Sequence, residues 1–139
     1  MSAPFHKFQN FVTKMAAGDF KNALNASTDT IKLYLSDMAP DPTMVLKADL
    51  PEIPNVFGYA PVDTQNAASL VGGVIAVVGT SFILTAVGGV VGPFRYAVLY
   101  DDTLAGKPLI GWWDYGSSIT MQDLETFSVN FGAAMFTVQ

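Results

Sequence analysis

The residue types able to do chemistry are few and widely spaced. His6 is the only histidine and there is no cysteine, so no Ser-His-Asp or Cys-His arrangement is expected. The Cys/His ligand set of a zinc site is missing as well. Carboxylates are the remaining option. Asp101, Asp102 and Asp114 flank two adjacent strand-like runs and can be brought together, for instance around a hard cation such as Ca²⁺. Asp101-Asp102-Thr103 is equally what a turn asks for, because Asp side chains accept hydrogen bonds from nearby backbone amides. Turn chemistry is the expected reading, and Asp37 and Asp41 in a Pro-rich loop are read the same way. Gly88-Gly89-Val90-Val91-Gly92 lacks the Gly-Lys-Ser/Thr ending and the following helix of a phosphate loop. Asn25-Ala26-Ser27 is a formal glycosylation sequon. Arg95, the single arginine, is placed to pair with Asp101 or Asp114 or to stack on Trp112 or Trp113. Strand alternation sends one of the two tryptophans inward and the other outward. Trp113 is taken as a candidate for partner contact.

The elements that must position these residues read as β. Thr30–Ser36 alternates, with Ile31, Leu33 and Leu35 on one face. Prolines break the chain at Pro40 and Pro42, and Pro51, Pro54 and Pro61 mark a long irregular connection. Val74–Val78 and Ser81–Thr85 read as strands around a Gly79-Thr80 turn. Phe94–Tyr100, Leu109–Tyr115, Ser117–Met121, Thr126–Phe131 and Ala134–Val138 follow, separated by Asp- and Gly-containing turns. At the start, Phe5, Phe8, Val12 and Met15, with Phe11 beside them, form the stripe of an amphipathic helix that stops at Ala17-Gly18. The expectation is a single all-β, mainly antiparallel domain over residues 1–139. It comprises an N-terminal helical arm (1–20) and a jelly-roll-like β-sandwich of about eight strands (28–139).

Composition narrows the function classes. Net charge is −5 and only 14% of the 139 residues are charged, against roughly 25% in ordinary soluble domains. The cations are scattered, which argues against nucleic acid and against an anionic membrane surface. The N-terminus does not read as a signal peptide, since Lys7, Lys14, Asp19 and Lys21 interrupt it. The uncharged run over residues 67–91 is long enough for a membrane span. Its glycine breaks and the strand-like segments on either side favour buried strands instead. Half of the residues are hydrophobic, so much of the surface is expected to be neutral or covered by partners.

The run Gly92-Pro93-Phe94-Arg95-Tyr96-Ala97-Val98-Leu99-Tyr100-Asp101-Asp102-Thr103, with residues 108–120 after it, resembles small virion proteins of tailed bacteriophages. Phe8, Phe11, Gly18, the segment 29–33 and Ala39-Pro40 fit the same pattern, which covers about half of the chain. One departure is Gln122-Asp123-Leu124-Glu125, where a Gly-containing turn is expected before Glu125-Thr126-Phe127. By analogy with cement or decoration proteins, the resemblance implies a jelly roll on the outer capsid surface that clamps neighbouring major capsid protein subunits, often as a homodimer. It implies no enzyme activity, no cofactor and no metal, and a protein made in the host cytoplasm and carried on the virion. The expected contact residues are Phe5, Phe8 and Phe11 of the N-terminal segment, Met38, Pro40 and Met44 of the Pro-rich loop, and Trp113. Two alternatives are a tail or receptor component reading glycans through Trp113 or Tyr115 beside Asp114, and a small membrane protein spanning through residues 67–91.

Overall fold

A computed structural model of the chain describes residues 4–18 and 29–138. Its spine is an antiparallel pair of long strands, β7 (Val91–Asp101) and β8 (Leu109–Met121). β2 (Ile31–Ser36) pairs with β7 along its whole length, from Ile31↔Asp101 to Ser36↔Tyr96. β3 (Val62–Asp63) extends the sheet beyond β2, and β1 (Phe5–Lys7) extends it beyond β8, giving the order β1-β8-β7-β2-β3. A second sheet, β10-β5-β4, is built from β4 (Ala67–Val71), β5 (Val74–Val78) and β10 (Phe136–Val138). β6 (Phe82–Thr85) pairs with β9 (Thr126–Val129).

The fold is thus mainly β and antiparallel with one helix, as expected from the alternating runs. It has ten strands among the described residues. The pairs β7·β8, β6·β9 and β5·β10 nest within one another, as in a ribbon folded back on itself. The hydrogen-bonded sheets have five, three and two strands. The uncharged run 67–91 supplies β4, β5 and β6, separated by Gly72-Gly73 and by residues 79–81. No helix among the described residues is long and apolar enough to cross a membrane.

Both faces of the five-stranded sheet are covered. One face carries Leu35, Ala97, Trp113 and Phe5 in register. It packs on Phe131 and Phe136, with ring centroids 5.8 Å from Trp113 to Phe131 and 5.2 Å from Phe5 to Phe136. The other face carries Tyr34, Val98 and Trp112. Phe8 tilts onto Trp112 at 4.6 Å, and the Tyr34 hydroxyl donates to the Leu50 carbonyl of the irregular connection at 2.9 Å. That connection is fastened further by Ile53 N–H to the Leu35 carbonyl and by Leu35 N–H to the Tyr59 hydroxyl. The continuous burial of Leu33 to Ser36 and of Tyr96 to Asp101 follows from this double cover. A half-buried sheet would bury only every second residue.

The N-terminal segment is part of this core. Residues 5–7 form a strand against Gly111–Trp113, and the helix α1 (Gln9–Ala16) begins only after it. The buried helical face is therefore set by Phe8 and Phe11, each fully buried, while Val12 is exposed. A stripe counted from Phe5 starts too early, because strand pairing holds Phe5–Lys7 extended.

Candidate binding surface

The sites considered from sequence resolve into structural roles. Asp101 Oδ1 accepts the Thr103 and Leu104 amides at 2.9 and 3.2 Å, which is the turn chemistry anticipated. Asp102 pairs with Lys107 at 2.9 Å and Lys32 at 3.3 Å, which holds its carboxyl below the ordinary range. Asp114 receives the Arg95 guanidinium through two bonds, 2.8 Å from Nε and 3.1 Å from Nη2, and the hydrogen bonds lower its pKa. Of the partners anticipated for Arg95, Asp114 is the one it takes. The three carboxylates do not converge: Asp114 stands opposite Tyr96, five positions along β7 from Asp101, or about 17 Å in a strand. Asp41 accepts the Thr43 amide and hydroxyl, again a turn. The Asn25 sequon lies outside the described residues.

Asp101 has a second property. It is fully buried beside the buried Asp29, and the two carboxyls share a hydrogen bond. Burial first, and then the Asp29 carboxyl beside it, push the Asp101 carboxyl up to about 7. A concavity of about 500 Å³ is close by, lined by Lys47, Ala48, Pro51, Glu52, Gly106 and Lys107. Its cations are already engaged, Lys47 by Glu52 at 2.7 Å and Lys107 by Asp102. Lys47 also lies over the rings of Tyr34 and Tyr100, at 4.9 and 5.5 Å. The cleft is lined by groups that satisfy one another, so it is a poor ligand site.

Of the seven expected contact residues, three are buried, three half-buried and one exposed. Phe8 and Phe11 are fully buried, and Phe5 is wedged between Trp113 and Phe136. Trp113 does not point outward either: Phe5 and Phe131 cover it, and Phe8 and His6 cover Trp112 from the other side. Alternation is obeyed, but a sheet packed on both faces buries both rings. Of the Pro-rich loop, Met38 is exposed, whereas Pro40 and Met44 are half-buried.

A different set of apolar side chains faces outward. Among the described residues, eight large hydrophobic residues are exposed, and five of them, Val56, Phe57, Val87, Val90 and Leu124, lie on three loops at one end of the molecule. Leu124 is 72% exposed and Val87 57%. The loops are stitched by main-chain bonds. Val87 N–H donates to the Phe57 carbonyl at 2.9 Å, Leu124 N–H to the Ala86 carbonyl at 2.6 Å, and Ala86 N–H to the Glu125 carbonyl at 2.9 Å. The Asp123 carboxylate accepts the Gly88 amide at 2.7 Å. Close approach fixes the glycines here: a Cβ at Gly58 (φ +92°) would lie 2.7 Å from the Thr85 carbonyl oxygen, and one at Gly89 would lie 2.7 Å from the Phe57 ring.

Phe57 and Leu124 themselves sit at φ +55° and +71°. That left-handed conformation costs a side-chain-bearing residue about 1–2 kcal/mol, and glycine or asparagine is its usual occupant. The turn at 122–125 does have the glycine geometry expected of it, with Leu124 in glycine's place. The missing glycine is visible in the sequence, whereas the exposure of Leu124 is not. Phe57 and Val87 gave no signal, because nothing local says that their loops meet.

The chain matches no family model, no curated protein and no solved structure.

Proposed function

We propose that this chain is a structural virion protein that binds the outside of a tailed-phage capsid and cements adjacent major capsid protein subunits. The observation that carries the reading is the gathering of exposed apolar side chains on one rigid end of the fold, where they serve no core of their own. Large apolar residues grouped on one surface mark contact with another macromolecule. The resemblance of residues 92–120 to small virion proteins makes the capsid exterior the partner to try first, and the low charge of the whole chain suits a protein partly covered in an assembly. On a shell, one modest contact per copy is repeated many times. A specific interface buries about 800 Å² per partner, and bridging two subunits adds avidity.

The test adds purified protein to matching tailed-phage capsids that lack it. Saturable co-sedimentation at a fixed ratio, with a raised melting temperature of the shell, is the expected result. Failure to bind under conditions where the shells are intact would remove the capsid from consideration.

A further inference from the structure

We infer that the loop cluster of residues 56–58, 87–90 and 124 is the docking face, and that it takes a foreign protein surface with an apolar centre and a basic rim. The inference rests on the capsid-binding reading and specifies the face and the chemistry of its partner.

Two independent observations single out this face. The first is conformational. Phe57 and Leu124 are held at positive φ, and both are exposed. Each position therefore carries a backbone penalty that glycine would relieve and an apolar side chain left partly in water; the Phe57 ring covers Gly89, whereas Leu124 is largely uncovered. Such outliers persist where the surroundings impose them, and they gather at functional sites. The stitching of Val87 to Phe57, Leu124 to Ala86 and Gly88 to Asp123 supplies that imposition. It also presents the apolar side chains on a stiff frame, so that little order has to be gained on binding.

The second is charge. Asp123 and Glu125 flank Leu124, and residues 54–60, 86–92 and 122–125 contain no lysine or arginine. Each carboxylate has one oxygen occupied by a loop amide, Asp123 by Gly88 and Glu125 by Gln122, and neither is in an ion pair among the described residues. A partner with cations around an apolar centre would complement this rim. A second copy of the chain would not. Face-to-face pairing about a two-fold axis would set the Asp123 and Glu125 of one copy against those of the other. A head-to-tail contact would need free cations. Among the described residues, Lys32 and Lys107 are bound to Asp102, Lys47 to Glu52, Arg95 to Asp114 and Lys7 to the Thr137 carbonyl, and Lys14 is engaged as well.

The experiment measures binding of full-length variants to the same shells, beside the melting temperature of each free protein. Leu124→Gly frees a strained position, so the free protein should melt at the same temperature or a few degrees higher, roughly 3–5 °C at most. Its affinity for shells should fall at least about tenfold. Val87→Ser, which keeps the amide bonded to Phe57, should weaken binding in the same direction. The double variant Asp123→Asn, Glu125→Gln keeps both loop-amide acceptors and removes only charge; it should bind more weakly, and most clearly at low salt.

Unchanged affinity in Leu124→Gly, with the unaltered chain still bound, overturns this face and leaves the capsid reading standing. Tighter binding by the charge-free variant overturns the basic rim. A concentration-dependent dimer in solution that Leu124→Gly abolishes makes the occupant a second copy and overturns the foreign partner. If the unaltered chain does not bind shells, the capsid reading fails and this inference falls with it.

Discussion

At the β7–β8 turn, residues 101–109, the chain spends its polar groups on itself. Asp101 is buried under its own turn, Asp102 holds Lys32 and Lys107, Lys47 holds Glu52, and Thr103 Oγ1 accepts the Thr30 amide. At the far end of the same two strands, some 34 Å away by strand rise, the loops present Phe57, Val87, Val90 and Leu124 to water. Both ends are tightly hydrogen-bonded, so flexibility does not distinguish them. What differs is where the side chains go: inward to charge partners at one end, outward and apolar at the other. A loop can be stiff for two reasons, to close a fold or to hold a surface ready for something else, and the direction of its apolar side chains separates the two.

The largest expected effect belongs to neither end, because both hang on the same sheet. Phe8→Ala should cost about 3–5 kcal/mol, read as a shift in the urea midpoint, since Phe8 is fully buried against Trp112. For the same reason, removing residues 4–17 should abolish cooperative unfolding. A truncated chain that still unfolds cooperatively would mean that the N-terminal segment is a dispensable arm after all.

The turn end should betray itself by pH. The Asp101 carboxyl is raised to about 7 by burial and then by Asp29, so it holds its proton more tightly folded than unfolded. Its contribution is therefore complete below about pH 4 and lost as pH rises through 7. The carboxyls of Asp102 and Asp114 are shifted downward, by Lys107 with Lys32 and by Arg95, and act only below that window. Unfolding free energy should fall by about 2–4 kcal/mol between pH 4.5 and 7.5. Asp101→Asn should flatten that slope, and an unchanged slope in the variant would show that another group is responsible.

The far end should be sensitive to backbone geometry instead. Gly58→Ala meets the Thr85 carbonyl and a positive φ together, and should cost about 1–3 kcal/mol with no change in the pH slope. Smallest of all is Lys107→Met. Its ammonium is half-exposed in the pair with Asp102, and thermal denaturation should register about 1 kcal/mol or less.

What is legible in the amino-acid sequence follows the same division. Regular alternation at 31–35 and 94–100 gave strands that pair as β2 and β7. It did not reveal that both faces are covered, because Tyr34 lies on the face opposite Ile31, Leu33 and Leu35 and is buried only when the irregular connection folds over it. β8 was legible as two strands, 109–115 and 117–121. It is one strand with a bulge, since Arg95 stands opposite residues 115–118, with Gly116 at φ +88°. The short strands β1 and β3 carry too few residues for periodicity to register. The apolar end was not legible as a site. Its members come from loops separated by about 30 residues each, and only folding brings them together.

Hydrogen–deuterium exchange on the free and the shell-bound chain tests the central claim most directly. Protection on binding is expected at the amides of residues 54–60, 86–92 and 122–125, with the 101–109 turn unchanged. Protection confined to 101–109, or spread evenly over the sheet, would contradict the assignment of the contact to the apolar end.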